Sequence, residues 1–196
     1  MANMQLLKQN LQDLGYEVAH FATGAEAADY LDSKIDGKTV AFGGSLTLKQ
    51  MGLCEKLDTH NKVIWHWREA DPMDAQCCEV YLSSVNGAAE TGELINIDGT
   101  CNRVAGTLFG HETVYLVIGS NKVAPDYESA LWRARNVAGP LNARRLNKDT
   151  PCAKGEDIKC YNCKSPDRIC RALTVFWSVP KGSRYEIVLV DEELGL

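Results

Sequence analysis

A three-layer α/β fold, with a mostly parallel sheet and antiparallel additions, is predicted from three features of the 196-residue chain. Short apolar runs alternate with segments of helical periodicity, the order that places helices on both faces of a parallel sheet. The run Thr-Val-Tyr-Leu-Val-Ile (113–118) is apolar without alternation, as a strand buried on both faces requires. Glycine- and serine-bearing turns join strands to helices, as in Gly43-Gly44-Ser45.

Residues 2–14 predict an amphipathic helix, with Met4, Leu7, Leu11 and Leu14 at helical spacing and Gly15 as its stop. A strand over 16–21 follows, then a helix over 24–35 capped by Thr23 and ended by Asp36-Gly37. Residues 38–42 predict a strand, Ser45 caps the next helix, 62–67 is a strand and 74–80 a helix. Residues 93–97 alternate as a strand, Asp98-Gly99 turns, and 103–109 is expected to pair back. A helix is predicted over 126–137, with Tyr127, Leu131, Ala134 and Ala138 on one face, followed by a basic stretch to Thr150. Residues 151–170 read as a loop, and strands over 174–179 and 185–190, joined by a turn at 180–183, suggest an antiparallel edge or subsheet. With no internal repeat and no low-complexity linker, one domain over 1–196 is expected.

Composition excludes several classes. Lys and Arg total 21 against 26 Asp and Glu, a net charge of −5 that argues against a general nucleic-acid or anionic-membrane binder. No basic segment precedes an apolar run at the N-terminus, and no stretch approaches the ~18 apolar residues of a membrane span. A reducing cytoplasm is the expected compartment, so the eight cysteines point to metal or redox chemistry rather than disulfides. The four histidines are scattered without HxH or HxxxH spacing, and no nucleophile elbow, Walker A loop or Rossmann fingerprint is present.

Ligands of open α/β sheets collect beyond the carboxyl ends of the strands. The expected ligand-binding residues are Gly43, Gly44, Ser45, Asn86, Asn121 and Lys122. Glu90, in the small-residue loop 86–92, is the candidate acid, base or nucleophile. Each has a plain structural counterpart: a tight connection, a solvated lysine, a surface carboxylate. Asn102 and Arg103 either fix the hairpin after Asp98-Gly99 or reach a ligand, and the structural role is the expected one.

The sharper signal is C-x7-C-x2-C-x6-C, formed by Cys152, Cys160, Cys163 and Cys170 in a polar segment that no core helix would contain. Four thiolates on such a loop can close around one metal centre. Zinc sites usually show two Cys-x2-Cys knuckles, and only Cys160-Tyr-Asn-Cys163 is one, so the spacing leans toward an iron–sulfur cluster with zinc as the alternative. Arg133, Arg135, Arg144, Arg145, Lys148, Arg168 and Arg171 either offset an anionic cluster or form a solvated face. Cys54, Cys77 and Cys78 are expected as buried small hydrophobes, and Cys101 as a thiol that can approach the loop pocket.

Phe-Gly-Gly-Ser (42–45), Asn-Gly-Ala-Ala-Glu-Thr-Gly-Glu-Leu-Ile-Asn-Ile-Asp-Gly-Thr-Cys-Asn-Arg-Val-Ala (86–105), Gly-Ser-Asn-Lys-Val (119–123) and the segment Cys-Lys-Ser-Pro-Asp-Arg-Ile-Cys (163–170) carry a resemblance. The chain resembles the LUD domain of the lactate-utilisation protein C family, in a cysteine-bearing subgroup. It departs at Cys101, where relatives carry glycine, which puts the usual shape of loop 98–103 in question. The resemblance implies a fold similar to the sugar-phosphate isomerase and CoA-transferase superfamily. It also implies a bacterial cytoplasmic protein serving oxidation of L-lactate to pyruvate, with iron–sulfur partner subunits. The expected function is therefore an iron–sulfur protein of lactate or related organic-acid utilisation, with a small anionic metabolite as ligand and electron transfer as its role; an oligomer is compatible with the sequence. The alternatives are an isomerase- or acyl-transferase-like enzyme with structural zinc and Glu90 as base or nucleophile, and a non-enzymatic assembly or regulatory subunit.

Overall fold

A computed structural model describes residues 2–68 and 71–196. In chain order its elements are α1 (Met4–Asp13), β1 (Glu17–Phe21), α2 (Gly24–Lys34), β2 (Thr39–Phe42), α3 (Leu46–Gln50), α4 (Leu53–Leu57) and β3 (Lys62–Trp65). Then come α5 (Pro72–Ala75), β4 (Val80–Ser84), β5 (Gly87–Ala89), β6 (Leu94–Asp98), α6 (Asn102–Leu108) and β7 (Thr113–Gly119). The chain ends with β8 (Val123–Ala124), α7 (Tyr127–Arg133), α8 (Gly139–Arg145), α9 (Pro151–Lys154), β9 (Ala172–Phe176) and β10 (Arg184–Val190).

Six strands form a parallel sheet in the order β1-β10-β7-β4-β2-β3. Alternate residues of its central strands enter different cores, as the period of two demands. Val114, Leu116 and Ile118 of β7 pack with Met4, Leu7 and Leu11 of α1. Tyr115 and Val117 pack on the other face with Ala28 and Leu31 of α2 and Leu53 and Leu57 of α4. A second, mixed sheet, β8-β5-β6-β9, lies on the α1 side, where Ala88, Leu94 and Phe176 join the first core. Its outer face packs Ala89, Ile95 and Ala124 against Ala130 and Ala134.

Four expectations are corrected. The strand expected over 103–109 is instead α6 (Asn102–Leu108): the Asp98 carboxylate accepts the backbone N–H groups of Gly99, Cys101 and Val104, which turns the chain into a helix. The partners of β6 are β5 and β9. The helix expected over 74–80 stops at Ala75, and Val80 to Ser84 is a central strand buried throughout, with Ser83 and Ser84 interrupting the apolar run that would reveal it; Cys77, expected buried, is exposed. The terminal strands do not pair: β9 edges the second sheet and β10 lies inside the first, between β1 and β7. Finally, the helix after Asp126 runs on to Arg145 through a π-helical turn at Ala134–Ala138. Pro140 lacks the N–H that a regular helix would use there, and the widened turn absorbs the loss.

Candidate functional site

The strand order brings the connections after β2, β4 and β7 together at one end of the parallel sheet. There a small cavity of about 90 Å³ is lined by Gly44, Ser45, Thr47, Ser84, Asn86 and Lys122, among others. A larger one of about 410 Å³ shares Gly44, Trp67, Asn86 and Arg103 with it.

Lys122 is 3% exposed. Its Nζ donates to Thr47 Oγ1 and Ser84 Oγ, each at 2.7 Å, and no carboxylate pairs with it among the described residues. Both hydroxyls point their own protons at backbone carbonyls: Ser84 at Val117 (2.6 Å), Thr47 at Leu194 (3.2 Å). Burial, and then the nearby Arg133 and Arg103, push the amine well below the ordinary lysine value.

Two guanidiniums are held by neutral acceptors beside it. Arg103 donates to Asn96 Oδ1 (2.5 Å), the Ile97 carbonyl (2.8 Å), Asn86 Oδ1 (3.2 Å) and the Ser84 carbonyl (3.3 Å), and the Asp98 carboxylate lies at 3.4 Å. Arg133 donates to the carbonyls of Asn121 (2.6 Å) and Asn86 (2.7 Å). Asn86 therefore joins the two arginines. At the mouth, Arg145 lies 5.3 Å from the centre of the Trp67 ring, which stacks on Trp65. The larger cavity is lined by Arg103, Arg145, Lys148, Arg168 and Arg171 against Asp98 and Asp167, so the region favours an anion.

Of the sequence-predicted residues, Gly44, Ser45, Asn86 and Lys122 meet here. Gly43 and Asn121 line neither cavity. A Cβ at Gly43 would meet Arg103 Cγ at 2.9 Å, so this glycine makes room for the arginine. The Asn121 side chain accepts the Leu194 N–H (3.1 Å) and donates to the Gly195 carbonyl (3.4 Å), fixing the segment that roofs Lys122. Glu90 lies elsewhere: its carboxylate accepts the Asn3 N–H at 2.7 Å and its carbonyl the Asn10 side-chain amide at 2.6 Å, which ties α1 to the turn after β5. The residue expected as acid, base or nucleophile thus lines neither of the two cavities.

Thr47, Ser84 and Trp67 were missed by sequence reasoning, and Arg103, Arg133 and Arg145 were read as hairpin or flanking residues. Arg133 carried a usable signal, one cation three residues from Ala130 on an alanine-lined face. The hydroxyl pair carried none, because only the tertiary fold unites positions 47 and 84.

The cysteine loop forms a neighbouring wall. Cys152, Cys160, Cys163 and Cys170 are free thiols and together line one cavity of about 20 Å³. Among the described residues, no three His, Cys, Asp or Glu side chains are grouped to hold a single metal ion. Donors reach the sulfurs: the Asn162 N–H lies 3.3 Å and Arg135 Nη2 3.9 Å from Cys160 Sγ, and Thr150 Oγ1 lies 3.3 Å from Cys152 Sγ. The basic residues have a definite task. Arg144 donates to the carbonyls of Cys152, Gly155, Glu156 and Asp157, Arg168 to those of Cys163 and Cys170, and Arg171 to those of Pro166 and Arg168. Arg168 and Cys170 line the anion cavity and the cysteine cavity alike. Cys101 adopts φ 68°, a conformation that favours glycine, at the N-terminus of α6. It lines neither anion cavity.

No helix among the described residues is long and apolar enough to cross a membrane. No curated protein matches the chain. A crystal structure of a DUF162 family protein from Deinococcus radiodurans is similar in fold, with a TM-score of 0.58 at 13% identity, covering 95% of each chain. The family model of the LUD domain matches residues 4–190, and with that span the chain belongs to the LUD domain family.

Proposed function

We propose that this protein serves the utilisation of lactate or a related organic acid, binding a small organic anion at the carboxyl ends of the parallel sheet and an iron–sulfur cluster at the cysteine loop. The LUD domain family is associated with lactate utilisation. The observation that carries the reading is the shared wall: Arg168 and Cys170 belong both to the cation-rich cavity and to the pocket lined by all four cysteines.

The donor chemistry suits such a cluster, since four free thiols line one cavity. Four thiolates around one zinc, each at about 2.3 Å, stand only ~3.8 Å apart. The asymmetric spacing, with one Cys-x2-Cys knuckle, favours a cluster over one zinc ion. Cys152, Cys160, Cys163 and Cys170 would hold it, and the Arg135 cation and Asn162 N–H would offset thiolate charge at Cys160. A bound cluster would supply one-electron transfer. Arg144, Arg168 and Arg171 keep the loop backbone in place for it, while Arg103 and Arg145 attract the anion. Partner subunits with iron–sulfur centres would complete the electron path in the cytoplasm.

Anaerobic purification followed by iron, sulfide and zinc analysis tests the assignment. Iron and sulfide bound in stoichiometric amount, with visible absorption lost in a Cys160→Ser variant, are expected. A colourless protein carrying one zinc, and taking up no iron on reconstitution, would sink it.

A further inference from the structure

The ligation of Lys122 says more than attraction of an anion. An ammonium group has three N–H bonds to place and a neutral amine has two. Lys122 Nζ has two acceptors among the described residues, Thr47 Oγ1 and Ser84 Oγ, and both hydroxyls are turned into acceptors because their own protons go to carbonyls. A buried ammonium with no carboxylate would be a poorly compensated charge, with Arg103 and Arg133 nearby adding repulsion. The neutral amine satisfies every bond seen, and its lone pair is left for an electrophile. Leu194 and Gly195 close the far side, since a Cβ at Gly195 would meet Lys122 Nζ at 3.1 Å. Access is from the small cavity, whose other lining residues include Asn86, Arg103 and Arg145.

We propose that Lys122 is a carbonyl-reactive amine that forms an imine with a small 2-oxo acid bound in this cavity. The inference rests on the anion site proposed above and names its ligand class. The amine lone pair attacks the carbonyl carbon and the C=O π pair moves to oxygen, giving a carbinolamine. The carbinolamine oxygen leaves as water with both original amine protons, and C=N replaces C=O; no oxidant or reductant is needed. The Ser84 and Thr47 hydroxyls, in contact with Nζ, are placed to relay the protons. The ligand carboxylate falls to Arg145, which lines the cavity and, among the described residues, donates to Asn142 Oδ1. A 2-hydroxy acid has the same carboxylate but no carbonyl, so it can bind without forming the bond.

The test is trapping of full-length protein at neutral pH with pyruvate and cyanoborohydride, with L-lactate as the carbonyl-free control and peptide mass mapping as readout. One reduced adduct at Lys122 is expected, forming at least about tenfold faster than at any other lysine, because each unit of lowered pKa raises the neutral amine fraction about tenfold. It is expected to be absent with lactate and in Lys122→Arg, and slowed in Thr47→Val. Mapping on the wild-type chain decides the site even if a variant fails to fold. Thermal stabilisation by each acid is measured alongside. Stabilisation by both acids without a Lys122 adduct would overturn the imine and leave the anion site standing. No stabilisation and no adduct would overturn both. Adducts spread evenly over surface lysines would also overturn the imine.

Discussion

The two parts of the candidate site are built on opposite principles. Around Lys122, the polar groups are carried by packed strands, helices and their immediate connections, and satisfied side chain to side chain or to strand carbonyls. In the cysteine loop, regular structure is confined to the four residues of α9, and three arginines bind the backbone through its carbonyls. The first region takes its shape from the core. The second takes its shape from guanidinium staples and, in the proposed holo form, from its metal centre. A site on rigid strands can hold an unfavourable amine, whereas a stapled loop can adjust around a cofactor.

The contrast is open to direct attack. Its largest expected effect is on stability: Arg103→Met leaves Asp98, Asn86 and Asn96 without their buried cation and is expected to cost about 3–5 kcal/mol in denaturant unfolding. Arg168→Met, in the loop, loses two backbone hydrogen bonds and is expected to cost about 1–2 kcal/mol, with faster hydrogen exchange confined to 160–171. Equal losses would break the comparison. Lys122→Met removes a disfavoured amine, so stability at neutral pH is expected to hold or to rise by about 1–4 kcal/mol. The pH profile sharpens this. The folded amine holds its proton more weakly than the ordinary value of 10.5, so between the two values the unfolded chain binds more protons. Wild-type stability should therefore rise with pH across that window, and the rise should vanish in Lys122→Met thermal melts. Glu90→Gln weakens one charge-assisted hydrogen bond at the start of α1 and is expected to cost about 1 kcal/mol while leaving the ligand response unchanged. The smallest effect is expected at Cys101→Gly, a gain of about 0.5–1 kcal/mol on relieving φ 68°, offset in part by greater freedom of the unfolded chain.

The same contrast decides how much could be read from sequence. Doubly buried β7 was legible as an unbroken apolar run, and α1 as a clean helical period. Val80 to Ser84, equally buried, was not, because two serines in five residues resemble a turn until their hydroxyls are seen inside the core. Asp98-Gly99 promised a hairpin, but its carboxylate initiates α6 instead, a choice made by three side chain-to-backbone bonds. The cysteine loop was visible by spacing alone. Lys122 was visible by its place after a strand, but its amine state was not: that depends on hydroxyls 75 and 38 residues away. The position of Glu90 was not legible, because a carboxylate in a small-residue loop looks the same whether it meets a pocket or the start of a distant helix.

The central claim is that the Lys122 cavity takes a small organic anion. Calorimetric titration of L-lactate into the wild-type protein and Arg145→Met, at matched pH and salt, tests it. Saturable one-to-one binding to the wild type, lost or weakened at least about tenfold in the variant, is predicted, a change of about 1.4 kcal/mol or more. Absence of binding to the wild type, or equal binding to both, would contradict it.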